Sequence, residues 1–155
     1  MTHERRRPVV IGGSDAGIAA GMRAHQLDRA LAPLVVVADA YPNFIICGLP
    51  RYLSGETPDW RNLAHRSRDD LEGAGLQLRL EHTATHVDAD NHTLDVRDPD
   101  GGTLVIGYDK LVIGTGAVPA RPPSPASTSM GSTCCTPWIM CSTSTATSQR
   151  RPVGL

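Results

Sequence analysis

Aromatic side chains are nearly missing from this chain: two Trp, three Tyr and one Phe among 155 residues. So few aromatics leave the core without large anchors, as in glycine-rich α/β proteins. No apolar run approaches the ~18 residues that would span a bilayer. A formal net charge of −1 gives no electrostatic reason to expect nucleic acid or an anionic membrane as partner. Arg5-Arg6-Arg7 before an apolar run has the outline of a secretion signal, but Gly12, Gly13 and Asp15 break the run and no cleavage pattern follows. The expectation is a cytoplasmic protein. The four cysteines are Cys47, alone, and Cys134, Cys135 and Cys141 in an odd tail. Cys47 has no C-x-x-C partner, which argues against an internal dithiol, and the tail lacks the paired spacing of a zinc site.

What is present is organised around Pro8 to Gly21, P-V-V-I-G-G-S-D-A-G-I-A-A-G. Pro8 to Ile11 read as a short buried strand, and a glycine turn and a small-residue helix start follow. Strand, glycine turn and helix are the layout of a dinucleotide-binding βα unit. Gly12 lets the chain turn off the strand, and Gly13, Asp15 and Ala16 complete the loop. Ser14 stands at the second glycine of G-x-G-x-x-G, and Gly17 lets the helix lie close on the sheet. Free amides at the helix start would face a diphosphate.

The helix is expected to run to Leu31, with Met22, Leu27 and Leu31 on its apolar face and Pro33 ending it. Leu34 to Ala38 is β-branched and uncharged, as a central parallel strand should be. It ends at Asp39, about 22 residues beyond Gly17, close to the ~20 at which such loops carry a ribose-binding acid.

Further on, Thr57 to Gly73 reads as a loop and a surface helix with Ser67 as N-cap before Asp69 and Asp70. Leu76 to Leu80 alternates at period two and reads as a strand. Thr83 to Asp88, His92 to Arg97 and Thr103 to Ile106 read as three more, with turns at Asn91 and at Pro99 to Gly102. Together they suggest a β-meander inserted in an α/β domain. His82 and His86 lie four apart with His92 nearby; on strands that spacing shares a face but is too wide to chelate, so no metal is expected.

Two segments carry a family resemblance. Asn43 to Gly55 contains Phe44, then Cys47-Gly48-Leu49-Pro50 and Tyr52. It resembles the S-F-x-N-C-G-L-P-Y-Y redox-cysteine motif of the coenzyme A-disulfide reductase and NADH oxidase branch of the pyridine nucleotide-disulfide oxidoreductases. Asn43 stands where that motif has serine, Ile46 where it has asparagine and Arg51 where it has an aromatic. Tyr108 to Pro119 is similar to the same family's Y-D-x-L-V-I-A-T-G segment, with Gly114 at a common alanine.

The resemblance implies an FAD-binding, Rossmann-like α/β fold with a parallel sheet and an inserted meander, incomplete at the C-terminus. In it Gly12, Gly13, Ser14, Asp15, Ala16, Gly17, Asp39, Thr115, Gly116 and Arg121 would hold FAD, with backbone near Ala84 passing the adenine. Cys47 would be the catalytic thiol, at a helix start that favours thiolate, forming a mixed disulfide or a sulfenic acid. NAD(P)H would donate electrons in complete relatives, and a small thiol, disulfide or oxygen would accept them. Complete relatives are homodimers; this chain lacks their dimerisation domain and is expected not to form that dimer. It is expected to bind FAD weakly or not at all and to be inactive alone. A non-catalytic nucleotide-binding module, indifferent to Cys47→Ser, and a non-functional truncated gene product are the alternatives.

Three stretches result: residues 1–7 as a basic arm, 8–123 as the partial FAD-binding domain, and 124–155 as a Ser/Thr/Ala/Pro tail. Low-complexity disorder is one account of that tail, but Trp138 and paired cysteines are unusual in such a linker. A shifted reading frame is the other. Codons for Ser, Thr, Ala and Pro, read from their third base, become codons for Leu/Ile/Val/Phe, Asp/His/Asn/Tyr, Arg/Gly/Ser/Cys and Ala/Pro/Thr/Ser. Met130-Gly131 then forces glycine, Cys134-Cys135 leucine, Trp138-Ile139 aspartate and Met140-Cys141 valine. Such a frame yields the apolar and acidic helix that follows this motif in complete relatives. Sequencing the coding DNA tests it: the shifted frame from about codon 124 should stay open and continue the oxidoreductase sequence, and stop codons there would end the idea.

Overall fold

The computed structural model describes residues 7–43 and 46–116. Arg121 and the tail lie outside them.

A four-stranded parallel sheet forms the centre, in the order β3-β2-β1-β7. Its strands are β1 (Pro8–Ile11), β2 (Leu34–Val36), β3 (Gln77–Arg79) and β7 (Lys110–Ile113). The inner strands are apolar at every position because both of their faces are covered. Val9, Ile11, Leu34 and Val36 project to one face, where they meet Leu94, Val96 and Ile106. Val10, Val35 and Val37 project to the other, where they meet Ile18, Leu71 and Leu76. Period-two alternation thus divides an unbroken hydrophobic run between two cores.

The first core lies under an antiparallel meander, β4 (Thr83–Asp88), β5 (Thr93–Arg97) and β6 (Thr103–Gly107), in that spatial order. Asp88 shapes its first turn by accepting hydrogen bonds from the amides of Asp90 and Asn91 at 3.0 and 2.9 Å. Asp98 does the same in the second, accepting from Gly102 N at 2.7 Å. The Leu76–Leu80 segment does not join the meander. Its centre, β3, pairs in parallel with β2 and forms an outer strand of the main sheet. After β6, Tyr108 stacks on His92 with ring centroids 5.5 Å apart, and Asp109 N donates to Arg7 O at 3.0 Å. These contacts return the chain to the sheet beside β1.

The second core lies under the helices. Helix α1 (Asp15–Leu27) buries Gly17, Ile18 and Gly21. It stops short of the expected Leu31. Asp28 adopts an extended backbone, and its carboxylate takes the amide of Ala30 at 3.0 Å, an Asx turn that competes with the next helical turn. Leu27, expected on the apolar face, is therefore exposed, whereas Met22 packs on the core. Ile46–Gly48 forms a 3-10 turn that leads into α2 (Leu49–Leu53). Helix α3 (Arg68–Gly73) begins at Ser67 with a reciprocal capping box to Asp70, as its sequence predicts, and drives Leu71 into the core. No helix among the described residues is long and apolar enough to cross a membrane.

Leu94 is fully buried where the meander meets the sheet. Leu94→Ala is expected to cost about 2–5 kcal/mol in urea unfolding. Leu27→Ala, on the exposed end of α1, should change stability by no more than about 0.5 kcal/mol.

Candidate functional site

The turn between β1 and α1 is built by close backbone approach. Gly12 has φ +95°, and a Cβ there would lie 2.3 Å from the carbonyl oxygen of Gly114. Gly12 N donates to Val36 O at 2.8 Å, Gly114 N to Ile11 O at 2.7 Å and Ser14 N to Gly114 O at 3.3 Å. A Cβ on Gly114 would lie 2.8 Å from Gly17 Cα, so the alanine usual in the family at this position would require α1 to shift. Gly12, Ser14, Gly17, Gly114 and Thr115 therefore come together where β1 and β7 end. Gly116 follows with φ +70° and open space around it.

Ser14 caps α1, its hydroxyl accepting from Gly17 N at 3.2 Å. The first intrahelical bond runs from Ile18 N to Ser14 O at 2.9 Å. The amides of Asp15 and Ala16, both exposed, have no acceptor among the described residues. Unpaired amides at a helix start suit an anion. The cradle therefore fits a diphosphate, and its glycines leave room for one to approach the backbone.

Asp39 lies beyond the end of β2, its peptide oxygen accepting from Glu81 N at 3.1 Å. Its side chain is half-buried, and desolvation raises its pKa above the ordinary 3.8. A cavity of about 680 Å³ opens beside it, lined by Ala40, Glu81 and His82 at that end and by leucines and arginines of β3, α3 and the N-terminal arm further along. The cavity adjoins Asp39 and is not lined by the glycine turn. Ala84 turns its methyl toward the core under the meander. It lies on β4, an outer strand with an irregularity between Ala84 and His86, so the outer backbone edge there is unpaired.

Cys47 is a free, exposed thiol on the 3-10 turn before α2. The chain reaches it after crossing the glycine turn. A Cβ on Gly13 would lie 2.0 Å from Pro42 O. Asn43 Nδ2 donates to Gly13 O at 3.0 Å and to Asp15 Oδ1 at 3.1 Å. His65 Nδ1 lies 3.2 Å from the same carboxylate oxygen. Asn43 first, and then His65, hold the Asp15 carboxyl below its ordinary range. Asn43 and His65 were not among the residues expected in the site. An amide in an otherwise apolar, family-like segment was the available signal for Asn43; His65 offered none. The described residues hold no metal-binding cluster of His, Cys, Asp and Glu. His82 turns Nδ1 to Leu80 O at 2.6 Å, and His92 packs on Tyr108.

A parallel sheet with helices on one face, a meander on the other and a glycine cradle at its carboxyl end defines a dinucleotide-binding α/β domain. The match to known proteins is narrower. The family model described as pyridine nucleotide-disulphide oxidoreductase matches residues 6–144, and this chain belongs to that family, whose members are FAD-dependent. It is 30% identical over 84 residues to an NADH oxidase of Enterococcus faecalis and 25% identical over 118 residues to one of Methanocaldococcus jannaschii. It covers 54% and 76% of its own length in these matches, but only 19% and 26% of theirs. Among solved structures it resembles the NAD-dependent persulfide reductase of A. fulgidus (29% identity, TM-score 0.81, 92% of this chain and 26% of that one). It also shares its fold with the water-forming NADH oxidase of Lactobacillus brevis (24% identity, TM-score 0.83, 94% and 32%).

Asp39 yields a pH test. The native chain keeps its proton at pH values where the unfolded chain has lost it, so stability falls as pH rises from 3.8 through the raised native value. Asp39→Asn removes that cost. The variant should melt above the wild type at neutral pH, and the difference should close below pH 3.8, where the carboxyl is protonated in both states.

Proposed function

We propose that this chain is the flavin-binding part of an FAD-dependent NAD(P)H oxidoreductase that works through a single redox cysteine. The observation that carries the reading is the cradle, where unpaired amides of Asp15 and Ala16 stand over a turn in which Gly12, Gly17 and Gly114 leave space only for backbone. Gly12 to Gly17 would hold the FAD diphosphate and Asp39 a ribose hydroxyl. Thr115 and Gly116 would lie along the dinucleotide, and backbone at Ala84 near the adenine. Arg121 belongs to the same proposal from its sequence position alone.

FAD, when bound, supplies a carrier for two electrons between NAD(P)H and the acceptor. The chain's own reacting group is Cys47. Its thiolate would attack one sulfur of a small disulfide, forming a mixed disulfide and releasing the other sulfur as thiolate. The relatives' names point to two acceptors, oxygen for the water-forming oxidase and a persulfide for the reductase. The exposed thiol favours a sulfur substrate that reaches it from solvent.

Titration with FAD, followed by flavin fluorescence, tests the cradle. Weak uptake is expected, and Ser14→Glu, which puts a carboxylate at the diphosphate, should lower affinity at least about tenfold. Uptake indifferent to that change would remove the turn from the site. Cys47→Ser should abolish exchange with a small aromatic disulfide while FAD uptake persists. A chain that binds nucleotide and shows no thiol exchange in either form would instead be a binding module.

A further inference from the structure

We propose that Asn43 is a positioning residue that pins the cysteine-bearing segment to the dinucleotide turn, an inference that rests on the reading of that turn given above. Its side chain is 3% exposed. Both Nδ2 protons are used, one on Gly13 O at 3.0 Å and one on Asp15 Oδ1 at 3.1 Å. A backbone carbonyl can only accept, so these bonds fix which end of the amide is nitrogen. The other end, Oδ1, is buried with no partner.

Pro42 lies in backbone contact with Gly13, and His65 approaches Asp15 at 3.2 Å. The stretch that carries Cys47 is thus tied down on both sides of the cysteine, and the Asp15 carboxylate takes both ties. Asn43 is the buried tie. His65 is exposed, and Arg66 is the other charge acting on Asp15. A residue that only filled space would be better apolar, because an orphaned buried acceptor is costly. Oδ1 has the chemistry to receive a hydroxyl or N–H of a ligand lying on the turn. Asn43 therefore couples a filled cradle to the place from which Cys47 acts.

Limited trypsin digestion tests the pin without flavin. Arg51 and Arg61 lie inside the pinned stretch and Arg97 in the meander. Asn43→Ala should speed cleavage at Arg51 and Arg61 about tenfold by populating an open form, with cleavage at Arg97 unchanged. Asp15→Asn keeps an acceptor oxygen for Asn43 and should cleave like wild type, whereas Asp15→Ala should resemble Asn43→Ala. Equal acceleration at Arg97, or none at Arg51 and Arg61, overturns the proposal. Asp15→Asn as open as Asp15→Ala does so too. If Asn43→Ala does not fold, the Asp15 pair decides alone.

A second arm adds FAD and follows alkylation of Cys47 by peptide mass spectrometry. Wild type should be protected by FAD, and Asn43→Ala should lose that protection while still taking up flavin. Equal protection in both overturns the coupling. A wild type that takes up no FAD counts against the flavin reading of this chain and leaves the digestion result to decide the pin.

Discussion

The structure depends on how closely the start of α1 can approach the ends of β1 and β7. Gly12, Gly17 and Gly114 meet with no room for a side-chain carbon. That contact sets the turn, the turn orients the helix, and the helix end leaves its first amides without acceptors. Everything chemical in the reading follows from a steric fact. A helix held a few ångströms further out would carry the same amides, but they would not stand over the edge of the sheet.

Much of this was legible because the requirements are local. A diphosphate cradle needs small residues at particular spacings, and Gly12, Ser14 and Gly17 supply them in order. A two-faced parallel strand needs unbroken apolar residues, and Pro8 to Ile11 and Leu34 to Val36 are that. Ser67 with Asp70 is a local cap and was readable as one. The chain was harder to read wherever side chains act across space. Asp28 ends α1 through its own carboxylate, against a helical pattern that continues to Leu31. The segment around Leu78 alternates as a strand would, but period two does not say which sheet it joins, and contact with β2 decides that.

Asn43 shows the same limit inside the site. In sequence it is one departure from a motif, a slightly larger polar residue where serine is usual. Its role comes from Gly13 and Asp15, about thirty residues away in the chain. The carbonyl of Gly13 becomes its partner only because the turn presents that carbonyl outward. Gly114 is similar. Beside a common alanine it looks interchangeable, yet in this backbone the approach of Gly17 makes it the tighter position.

The placement of β1 has a consequence for how the molecule assembles. It is the first strand in the chain, and its two neighbours are β2, reached after one helix, and β7, which begins at Lys110. One side of β1 can pair soon after synthesis, while the other must wait for almost the whole described chain. The latch between Arg7 and Asp109, separated by 102 residues, closes last. Long-range pairing of this kind slows folding, since the entropy of closing so long a loop is spent before the contact rewards it. A nascent chain therefore passes through a period in which its central strand is half-paired, and how fast the meander folds determines how long that period lasts.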